Sequence, residues 1–448
     1  MREFVKYEVP DIISFKRNML YYASTFSRCC VLKSNNWQGD SQEVHSEEIE
    51  MIVAVGSIGE ILPSENSFEA LSRFHKEKKD WLFGFLSYDL KNETEDLSSE
   101  NIDGTFFPLM HFFQPKYVFI VKENKLEIGF LAIDSSEEEV ENIYFKISSQ
   151  APDQKYQPPL TDLKQRVSEE EYIRTVRKIK DHIHRGDVYE MNYCMEFFSE
   201  EAEINPAEVF LRLNETSQTP FSAFYRIDEK YLLCSSPERF LKKKGNKIIS
   251  QPIKGTARRG KNNSEDVEII KTLSQNEKEK SENVMIVDLV RNDLSKTCNN
   301  VRVDELFGVY TFKQWHQMIS TVSGDMRNDF SFTDVIKNSF PMGSMTGAPK
   351  VKAMELIEQY EKTKRGLYSG AAGYITPGSD FDFNVVIRSI LYDTDSKYLS
   401  FQVGSAITAN SLPENEYIEC LLKAKGMFEA LNVTTNHALQ KKNSLAHA

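Results

Sequence analysis

Four glutamates in two pairs have a spacing that could bind a divalent cation. Glu279 and Glu282 are three residues apart, as are Glu416 and Glu419. Because residues three apart share one face of a helix, each pair could present two carboxylates to one point. Such oxygen donors suit Mg²⁺, a hard cation that usually keeps some waters. Taken alone, each pair is more typical of a solvated helix face, and the sequence does not place the two pairs together in space.

A lysine and a glutamate could supply covalent and acid–base chemistry. Lys254 lies in the segment Gln251–Thr256, where apolar and glycine neighbours could remove water from its ammonium group. Desolvation would lower the pKa of Lys254 and make it a nucleophile. Glu238, in the segment Ser235–Phe240, could act as a general acid or base if its surroundings are dry enough to raise its pKa. The alternative for a lone lysine in a turn is a solvated surface charge.

A glycine-rich turn, Gly343–Lys350, precedes a run of helical periodicity formed by Val351, Met354 and Ile357. Free backbone N–H groups and the dipole at the start of a helix favour an anion, so this turn could bind one. The spacing excludes a P-loop, because no Gly-Lys-Ser/Thr sequence follows. A plain helix start without a ligand is the alternative that the residues alone favour.

The elements that must position these groups include both helices and strands. One helix is predicted between a capping box at Ser168 and Glu171 and a terminal Gly186. The first glutamate pair begins an apolar-periodic run, and the second lies in a helix predicted to open with a capping box at Ser411 and Glu414. The overall pattern is α+β, without the regular alternation of a doubly wound fold. Short apolar runs between polar turns predict strands at Met51–Val55, Trp81–Leu86, Tyr117–Val121, Phe221–Arg226 and Tyr231–Cys234.

The composition indicates a globular protein and excludes several classes of function. The 448 residues carry a formal net charge of −12 without a long basic run, so no nucleic-acid partner is expected. No segment reaches the roughly 18 apolar residues of a transmembrane helix, and the first residues lack the apolar core of a signal peptide. We therefore expect no membrane segment and a cytoplasmic location. The six cysteines form no CxxC pair, which favours free buried thiols over a zinc site.

Taken in order, eight blocks of this chain resemble the chorismate-utilising enzymes, a family that includes anthranilate, aminodeoxychorismate, isochorismate and salicylate synthases. The segment Trp81–Asp89 also resembles one found in the two aminating branches. The resemblance implies an α+β fold with two large antiparallel β-sheets packed as a sandwich, helices outside and the active site between the sheets. The eight blocks are Gly186–Asn192, Ser235–Phe240, Pro252–Gly260, Glu279–Asp293, Gly343–Met354, Arg365–Tyr374, Val385–Ile390 and Gly404–Ala424.

The same resemblance suggests how the chain is divided. Residues 1–150 are interpreted as an N-terminal subdomain that does not fold independently, and residues 165–431 as the catalytic region. Between them, the proline-containing segment Ala151–Asp162 is predicted to be an irregular connection. Residues 432–448 are polar and predicted to be a disordered tail.

The resemblance further implies that the substrate is chorismate, whose two carboxylates are bound partly by Mg²⁺ and partly by the protein. By position, Glu282 and Glu419 would be the closest metal ligands, with Glu279 and Glu416 binding directly or through water. The implied substrate-binding residues are Tyr368, Arg388, Thr346, Gly347, Gly404 and Lys423. The first two would bind the enolpyruvyl carboxylate, for which an arginine fork is well suited.

The residue at position 254 favours the branch that makes aminodeoxychorismate for para-aminobenzoate and folate synthesis. Anthranilate synthases resemble this block but read PIAGT, whereas this chain reads PIKGT, as aminodeoxychorismate synthases do. In that branch Lys254 would attack ring C2 while Glu238 protonates the departing C4 hydroxyl, and ammonia would then expel the lysine. A separate glutamine amidotransferase subunit would supply the ammonia, because no cysteine lies in a Gly-x-Cys-x-Gly turn. Anthranilate or isochorismate synthesis is the alternative.

Several positions depart from the family pattern. Glu190 replaces the glutamine usual in aminating members and the lysine that activates water in isochorismate and salicylate synthases. Gln317 stands where many members have histidine, and Ala406 replaces a common glycine. The segment Val31–Ser34 resembles a tryptophan-binding block of feedback-regulated members, but Lys33 replaces a glutamate, which argues against tryptophan binding here.

Overall fold

The structure is a computed structural model that describes residues 2–35, 49–150 and 162–433. Apart from Asp162, the predicted connection Ala151–Asp162 lies outside the described residues. Apart from Asn432 and Val433, so does the predicted disordered tail. Within the described ranges, no helix is long and apolar enough to span a membrane.

The strands come from every part of the described chain and include all five predicted ones. They are β1 (Arg2–Glu8), β2 (Arg28–Lys33), β3 (Met51–Ile61), β4 (Leu82–Leu86), β5 (Met110–Lys122), β6 (Lys125–Leu131), β7 (Lys164–Gln165), β8 (Glu190–Ser199), β9 (Phe221–Ile227), β10 (Lys230–Ser236), β11 (Arg239–Lys244), β12 (Lys247–Gln251), β13 (Ile253–Arg258), β14 (Cys298–Thr311), β15 (Trp315–Met326), β16 (Gly347–Ala348), β17 (Ala371–Ile375), β18 (Phe381–Asn384), β19 (Ser389–Asp393) and β20 (Leu399–Ile407).

The helices are α1 (Ile12–Ser24), α2 (Ser67–Lys78), α3 (Lys91–Thr94), α4 (Glu137–Ser148), α5 (Glu169–Arg185), α6 (Pro206–Ser217), α7 (Asn263–Gln275), α8 (Glu277–Ser295), α9 (Phe332–Ser339), α10 (Lys350–Tyr360) and α11 (Pro413–Ala430). Two single 3₁₀ turns lie at Tyr88–Leu90 and Gly343–Met345.

All 20 described strands join one hydrogen-bonded network with two arms. The first arm runs β9–β10–β19–β20–β8, with β16 and β7 paired to β8. The second arm runs β17–β18–β11–β12–β15, with β13 and β14 also paired to β15. These pairings are antiparallel. The α+β class with large antiparallel sheets is therefore confirmed.

The N-terminal strands join the two arms. Strand β2 pairs with β9 of the first arm, and β4 pairs with β17 of the second. Strands β3 and β5 complete the path from β2 to β4, and β6 and β1 extend the sheet from β5. The two expected sheets are thus two arms of one network, because the N-terminal strands have paired edges on both sides. A subdomain boundary near residue 150 stays a prediction.

Aromatic packing fixes helix α11 against the first arm. Phe428 meets Phe197 of β8 and Phe401 of β20 edge-on, with ring centroids 5.1 and 5.4 Å apart. Such pairs contribute about 0.5–1.5 kcal/mol each beyond the burial of their area. Helix α11 carries Glu416 and Glu419, so this contact determines where the second glutamate pair lies.

Helix boundaries agree with the sequence in some places and differ in others. Helix α5 begins after Ser168, whose side chain accepts a hydrogen bond from the Glu171 amide, and it ends at Gly186 with φ of 84°. The capping box predicted for α11 is wrong, because Leu412 is the N-cap residue and makes no side-chain cap. The Ser411 hydroxyl instead accepts a hydrogen bond from the Thr408 amide at 3.1 Å.

A buried ion pair connects the strand, helix and turn around the centre of the fold. Arg365 donates to Glu361 at 2.7 Å, to the Asn192 carbonyl at 3.1 Å and to the Met345 carbonyl at 2.6 Å. Glu361 also accepts the Cys194 amide at 2.9 Å. Both side chains of the pair are at most 3% exposed. The pair therefore joins β8 to the turn before α10 and to the segment after it.

Removal of Arg365 should strongly destabilise the fold. We expect Arg365→Met to lower the free energy of unfolding by about 3–5 kcal/mol, because the buried Glu361 loses its counter-charge. The matched control is Lys352→Ala, which breaks an exposed pair with Glu355 on the same helix and should change stability by less than about 0.5 kcal/mol. Urea unfolding measures both, and a loss below about 1 kcal/mol for Arg365→Met would contradict the role given to this pair.

Candidate active site

A cavity of about 810 Å³ lies between the two arms. Lys254 of β13 lines it from the second arm, and Gly404 of β20 lines it from the first. Helices α8 and α11 close one side with the two glutamate pairs. Ten of the twelve residues predicted for the site line this cavity, namely Lys254, Glu238, Glu279, Glu282, Glu416, Glu419, Tyr368, Arg388, Gly404 and Lys423. Their convergence makes the cavity the candidate active site.

Lys254 forms an ion pair across the cavity wall. Its Nζ atom donates to Glu190 Oε1 of β8 at 2.6 Å, and the two side chains are 10% and 1% exposed. Burial lowers the pKa of Lys254, but the charges of Glu190 and Glu282 outweigh burial and leave the pKa above its ordinary value. The prediction of a lowered pKa for Lys254 is therefore wrong. The two carboxylates that raise this pKa are distant in sequence, so the residues beside Lys254 in the chain did not indicate them.

Glu238 has the protonation behaviour of a general acid. It is buried, and its Oε1 atom accepts a hydrogen bond from the Ser344 hydroxyl at 2.6 Å. Burial raises the pKa of Glu238 to about 7, against the opposing effects of the Ser344 hydrogen bond and the Lys254 charge. A carboxyl group with this pKa is part protonated near neutral pH, as efficient proton transfer to a leaving group requires.

The two glutamate pairs approach each other around one lysine. Lys278 Nζ lies 3.8 Å from Glu282 Oε1 of α8 and 3.9 Å from Glu416 Oε1 of α11. Burial raises the pKa of Glu282 to about 7, and burial together with the charge of Glu419 raises the pKa values of Glu279 and Glu416. The structure thus brings together two pairs that the sequence could not place relative to each other.

The lower pKa of Glu419 has a local cause. The Glu419 side chain is 48% exposed, and partial desolvation by the protein raises its pKa only in part. Lys423 Nζ lies 2.8 Å from its Oε1 atom, and this contact leaves the pKa of Glu419 below its ordinary value. As the side chains stand, no group of three or more His, Cys, Asp or Glu residues in the described ranges has the arrangement of a metal site. Metal binding by the four glutamates stays a prediction.

Arg388 occupies a strained backbone position at the cavity. Its φ angle is 52°, in the left-handed region that a residue with a Cβ atom seldom adopts. Such a conformation costs on the order of 1–3 kcal/mol and persists only where the surrounding structure imposes it. One guanidinium nitrogen donates to the Lys423 carbonyl at 3.2 Å. Burial lowers the pKa of Arg388 from its ordinary value, in a setting that a carboxylate ligand would complete.

Close backbone approach makes glycine necessary at position 404. A Cβ atom there would lie 2.4 Å from Cys194 Sγ and 2.7 Å from Asn192 Oδ1. The Gly404 carbonyl accepts a hydrogen bond from Lys423 Nζ at 2.8 Å, which orients that lysine along the cavity. Tyr368 lines the same cavity, and its hydroxyl oxygen accepts a hydrogen bond from Cys194 Sγ at 3.8 Å.

Thr346 and Gly347 lie in the turn next to the cavity and are not among its lining residues. The Thr346 hydroxyl donates to the carbonyls of Met342 and Gly343, so it stabilises the turn itself. The helix that follows, α10, begins after Pro349, and its predicted start is confirmed. Substrate contacts by this turn stay a prediction.

Sequence reasoning missed several polar residues that line the cavity, among them Ser344, Asn192 and Gln317. Ser344 contacts Glu238, and Asn192 donates to the Ser344 carbonyl at 3.2 Å. Gln317 was noticed only as a departure, yet its Oε1 atom is buried without a hydrogen-bond partner among the described residues. Ser344 lies within the glycine-rich turn that the sequence singled out. The sequence did not show that its hydroxyl contacts Glu238, because serine in a turn can have many roles.

The chain is similar to known proteins over most of its length. Residues 28–429 match the model of a protein family described as chorismate binding enzyme. The chain belongs to this family. As a chorismate-binding enzyme, it utilises chorismate, and the resemblance of the eight blocks is confirmed.

Similar chorismate-binding enzymes carry different names. The aminodeoxychorismate synthase component 1 of Bacillus subtilis (strain 168) is 32% identical over 363 residues, which are 78% of this chain and 77% of that protein. The anthranilate synthase component I-like protein of Synechocystis sp. is 33% identical over 358 residues, 78% of this chain and 72% of that protein. The crystal structure of anthranilate synthase component I from Streptococcus pneumoniae TIGR4 is 25% identical, with a TM-score of 0.75 over 88% of this chain and 95% of that chain.

The hydrogen bond from Ser344 should set the protonation of Glu238. We expect Ser344→Ala to raise the pKa of Glu238 above its value of about 7, because the hydrogen bond that stabilises the carboxylate is lost. Carbon-13 NMR of labelled glutamate carboxyls measures the titration, and the Glu238→Gln variant identifies the resonance. An unchanged or lower pKa in Ser344→Ala would contradict this contact.

Proposed function

We propose that this chorismate-binding enzyme is the synthase component of an aminodeoxychorismate synthase. It converts chorismate and ammonia to 4-amino-4-deoxychorismate and water, for the synthesis of para-aminobenzoate and folate. The observation that carries the proposal is the lysine in the cavity wall. Lys254 faces the same cavity as Glu238, whose pKa is about 7, so a nucleophile and a proton donor share one site.

In the first step, neutral Lys254 Nζ attacks ring C2 of chorismate. The ring double bond shifts, the bond between C4 and its hydroxyl oxygen breaks, and Glu238 gives its proton to the departing hydroxide to form water. The product is a secondary ammonium that joins Lys254 to C2. Two displacements of this kind replace one difficult substitution.

In the second step, ammonia attacks C4 and the bond between C2 and Lys254 Nζ breaks. The lysine leaves as a neutral amine, so it needs no further proton. The new ammonium group at C4 gives one proton to the Glu238 carboxylate, which restores the acid form for the next turnover. Glu238 thus acts first as an acid and then as a base.

The proposal assigns the substrate carboxylates to cationic and hydroxyl groups of the cavity. Arg388 would bind the enolpyruvyl carboxylate bidentately, with Tyr368 beside it. Lys423 and the backbone around Gly404 would contact the substrate from the first arm. Thr346 and Gly347 would contribute through the turn. Arg388 is half-buried, and partial loss of water around the guanidinium lowers its pKa. This supports the assignment, because a bound carboxylate would supply a further counter-charge.

Mg²⁺ is the proposed cofactor, and the four glutamates fit it. Glu282 Oε1 is buried without a hydrogen-bond partner among the described residues, and burial and mutual repulsion raise the pKa values of three of the four carboxylates. A divalent cation would contact the unpartnered oxygen and would offset the repulsion among the carboxylates. Glu282 and Glu419 would bind it closely, with Glu279 and Glu416 directly or through water. When bound, Mg²⁺ would neutralise the ring carboxylate and stabilise charge that develops on it.

A glutamine amidotransferase subunit completes the proposal as the source of ammonia. None of the six cysteines lies in a Gly-x-Cys-x-Gly turn, and all six are buried and free. Burial raises the pKa of all six thiols, which makes them poor nucleophiles. Six free thiols also suit a reducing compartment, so a cytoplasmic location is part of the proposal.

Anthranilate synthesis is the second candidate, because one observation favours it. Lys254 is paired with Glu190, and its raised pKa keeps it protonated and unreactive as it stands. If Lys254 never attacked C2, ammonia could attack that carbon directly, and the product would be an anthranilate precursor. The relatives named for anthranilate synthesis are compatible with this outcome.

Magnesium affinity should depend on the paired glutamates. We expect Glu282→Gln and Glu416→Gln each to weaken Mg²⁺ binding at least about tenfold, because affinity follows the charge of the oxygen ligands. The control is Glu429→Gln, an exposed residue of α11 outside the cavity. Isothermal titration calorimetry with Mg²⁺ alone measures the affinities. Equal affinities in all four proteins would remove the four glutamates as the site.

The product should depend on Lys254. With chorismate, Mg²⁺ and ammonium chloride, we expect the wild type to form 4-amino-4-deoxychorismate, and Lys254→Ala to lose this product or to form anthranilate instead. Mass spectrometry identifies the products, and Lys352→Ala controls for the loss of an exposed lysine. Anthranilate or isochorismate from the wild type would overturn the choice of branch and leave the family intact.

A further inference from the structure

We infer that Glu190 is the base that takes a proton from Lys254 and so turns this lysine into a nucleophile. The inference rests on the proposed function, because it concerns the amine that attacks ring C2. It goes beyond that function because the resembling enzymes usually carry glutamine at this position, and a glutamine cannot accept a proton there.

The contact between the two side chains is direct. Lys254 Nζ and Glu190 Oε1 are 2.6 Å apart, and Glu190 is the acceptor that this nitrogen contacts in the described part of the chain. Glu190 is buried and is not among the residues that line the cavity, whereas Lys254 is. The carboxylate therefore lies behind the amine, where it reaches the proton of Lys254 but not the substrate.

The backbone around Glu190 allows little movement. Glu190 pairs with Ala348 of β16, and a Cβ atom on Gly347 would lie 2.2 Å from the Glu190 carbonyl oxygen. The second oxygen, Glu190 Oε2, is buried and has no hydrogen-bond partner among the described residues. An oxygen buried without a hydrogen-bond partner carries a desolvation cost.

Other charged groups face the pair from the neighbouring elements. They are Glu279, Glu282 and Lys278 of α8, Glu419 and Lys423 of α11, and Glu238 at the start of β11. Burial lowers the pKa of Lys254, but Glu190 itself, with smaller effects of Glu282 and Glu419, leaves this pKa above its ordinary value, so the resting amine is an ammonium. The Lys254 side chain is 10% exposed, and a carboxylate already in hydrogen-bond contact is the nearest base that could deprotonate it.

The proton balance closes within the pair. Before attack, one proton moves from Lys254 Nζ to Glu190 Oε1, which leaves a neutral amine beside a neutral carboxylic acid. The amine forms the bond to C2, and Glu238 supplies the proton for the departing hydroxide. When ammonia later expels the neutral lysine, Glu190 returns its proton to Nζ. No proton is exchanged with solvent at Lys254 during the cycle.

This internal transfer predicts a distinct pH dependence. In the wild type, the pair holds one proton whichever atom carries it, so the reactive form is not depleted as pH falls through neutrality. In Glu190→Gln, the reactive form is free Lys254 amine, whose fraction falls about tenfold for each unit of pH below its pKa. Titration of Glu238 affects both proteins. The charge of Glu190 also raises the pKa of Glu282, so Glu190→Gln leaves Glu282 more ionised at low pH, which opposes growth of the ratio and cannot cause it.

The experiment measures formation of the covalent adduct on Lys254 without ammonia. Wild type, Glu190→Gln and Glu190→Asp are each mixed with saturating chorismate and Mg²⁺ at several pH values between about 6 and 7.5. This range lies well below the ordinary pKa of a lysine side chain. The reaction is quenched, and mass spectrometry follows the increase that corresponds to chorismate minus water. Glu190→Asp keeps a carboxylate and controls for local disruption, and circular dichroism checks folding.

We expect the ratio of the wild-type rate to the Glu190→Gln rate to grow about tenfold for each unit decrease in pH. The ratio of the wild-type rate to the Glu190→Asp rate should not change with pH. Adduct formation in the wild type with a pH-independent ratio for Glu190→Gln would overturn the inference and leave the proposed function standing. Failure of the wild type to form any adduct would overturn the proposed function and the inference with it.

Discussion

The buried pair of Arg365 and Glu361 is the interaction on which the geometry of the cavity depends. Its hydrogen bonds reach the backbone of β8, through Asn192 and Cys194, and the turn at Met345. These segments belong to different parts of the chain, and nothing local holds them together. Because an uncompensated charge in this position would be costly, each partner fixes the other and, through it, the surrounding backbone.

The same principle extends into the cavity, where many charged side chains lie close together. Glu238 and the four paired glutamates line the cavity with four cationic side chains, and Glu190 lies behind Lys254. Several of these groups have pKa values displaced from their ordinary range. Burial makes the charged form of the more buried carboxylates costly, Glu238 and Glu282 among them. A substrate with two carboxylates and a divalent cation would redistribute these charges. Strongly shifted pKa values in one cleft are a common property of functional sites.

Backbone constraints add to the electrostatic ones. Arg388 adopts a left-handed conformation, and Gly404 and Gly347 allow contacts that a Cβ atom would prevent. These features place a guanidinium, a carbonyl and a turn at fixed positions around the substrate space. Their cost in stability is offset by the large aromatic and aliphatic clusters of the two arms, which include the Phe197, Phe401 and Phe428 contacts.

The sequence by itself determined the local features of this protein. Spacing placed Glu279 with Glu282 and Glu416 with Glu419 on single helix faces, because helical geometry depends only on neighbouring residues. Five strands and both ends of α5 were also readable, and the eight blocks indicated the family. Only the tertiary structure decided which groups meet. Glu190 and Lys254 are 64 positions apart, and their contact reversed the expected pKa of the lysine. Desolvation and charge act through space, so their balance at one atom follows from the fold and cannot be read from the residues beside it in the chain.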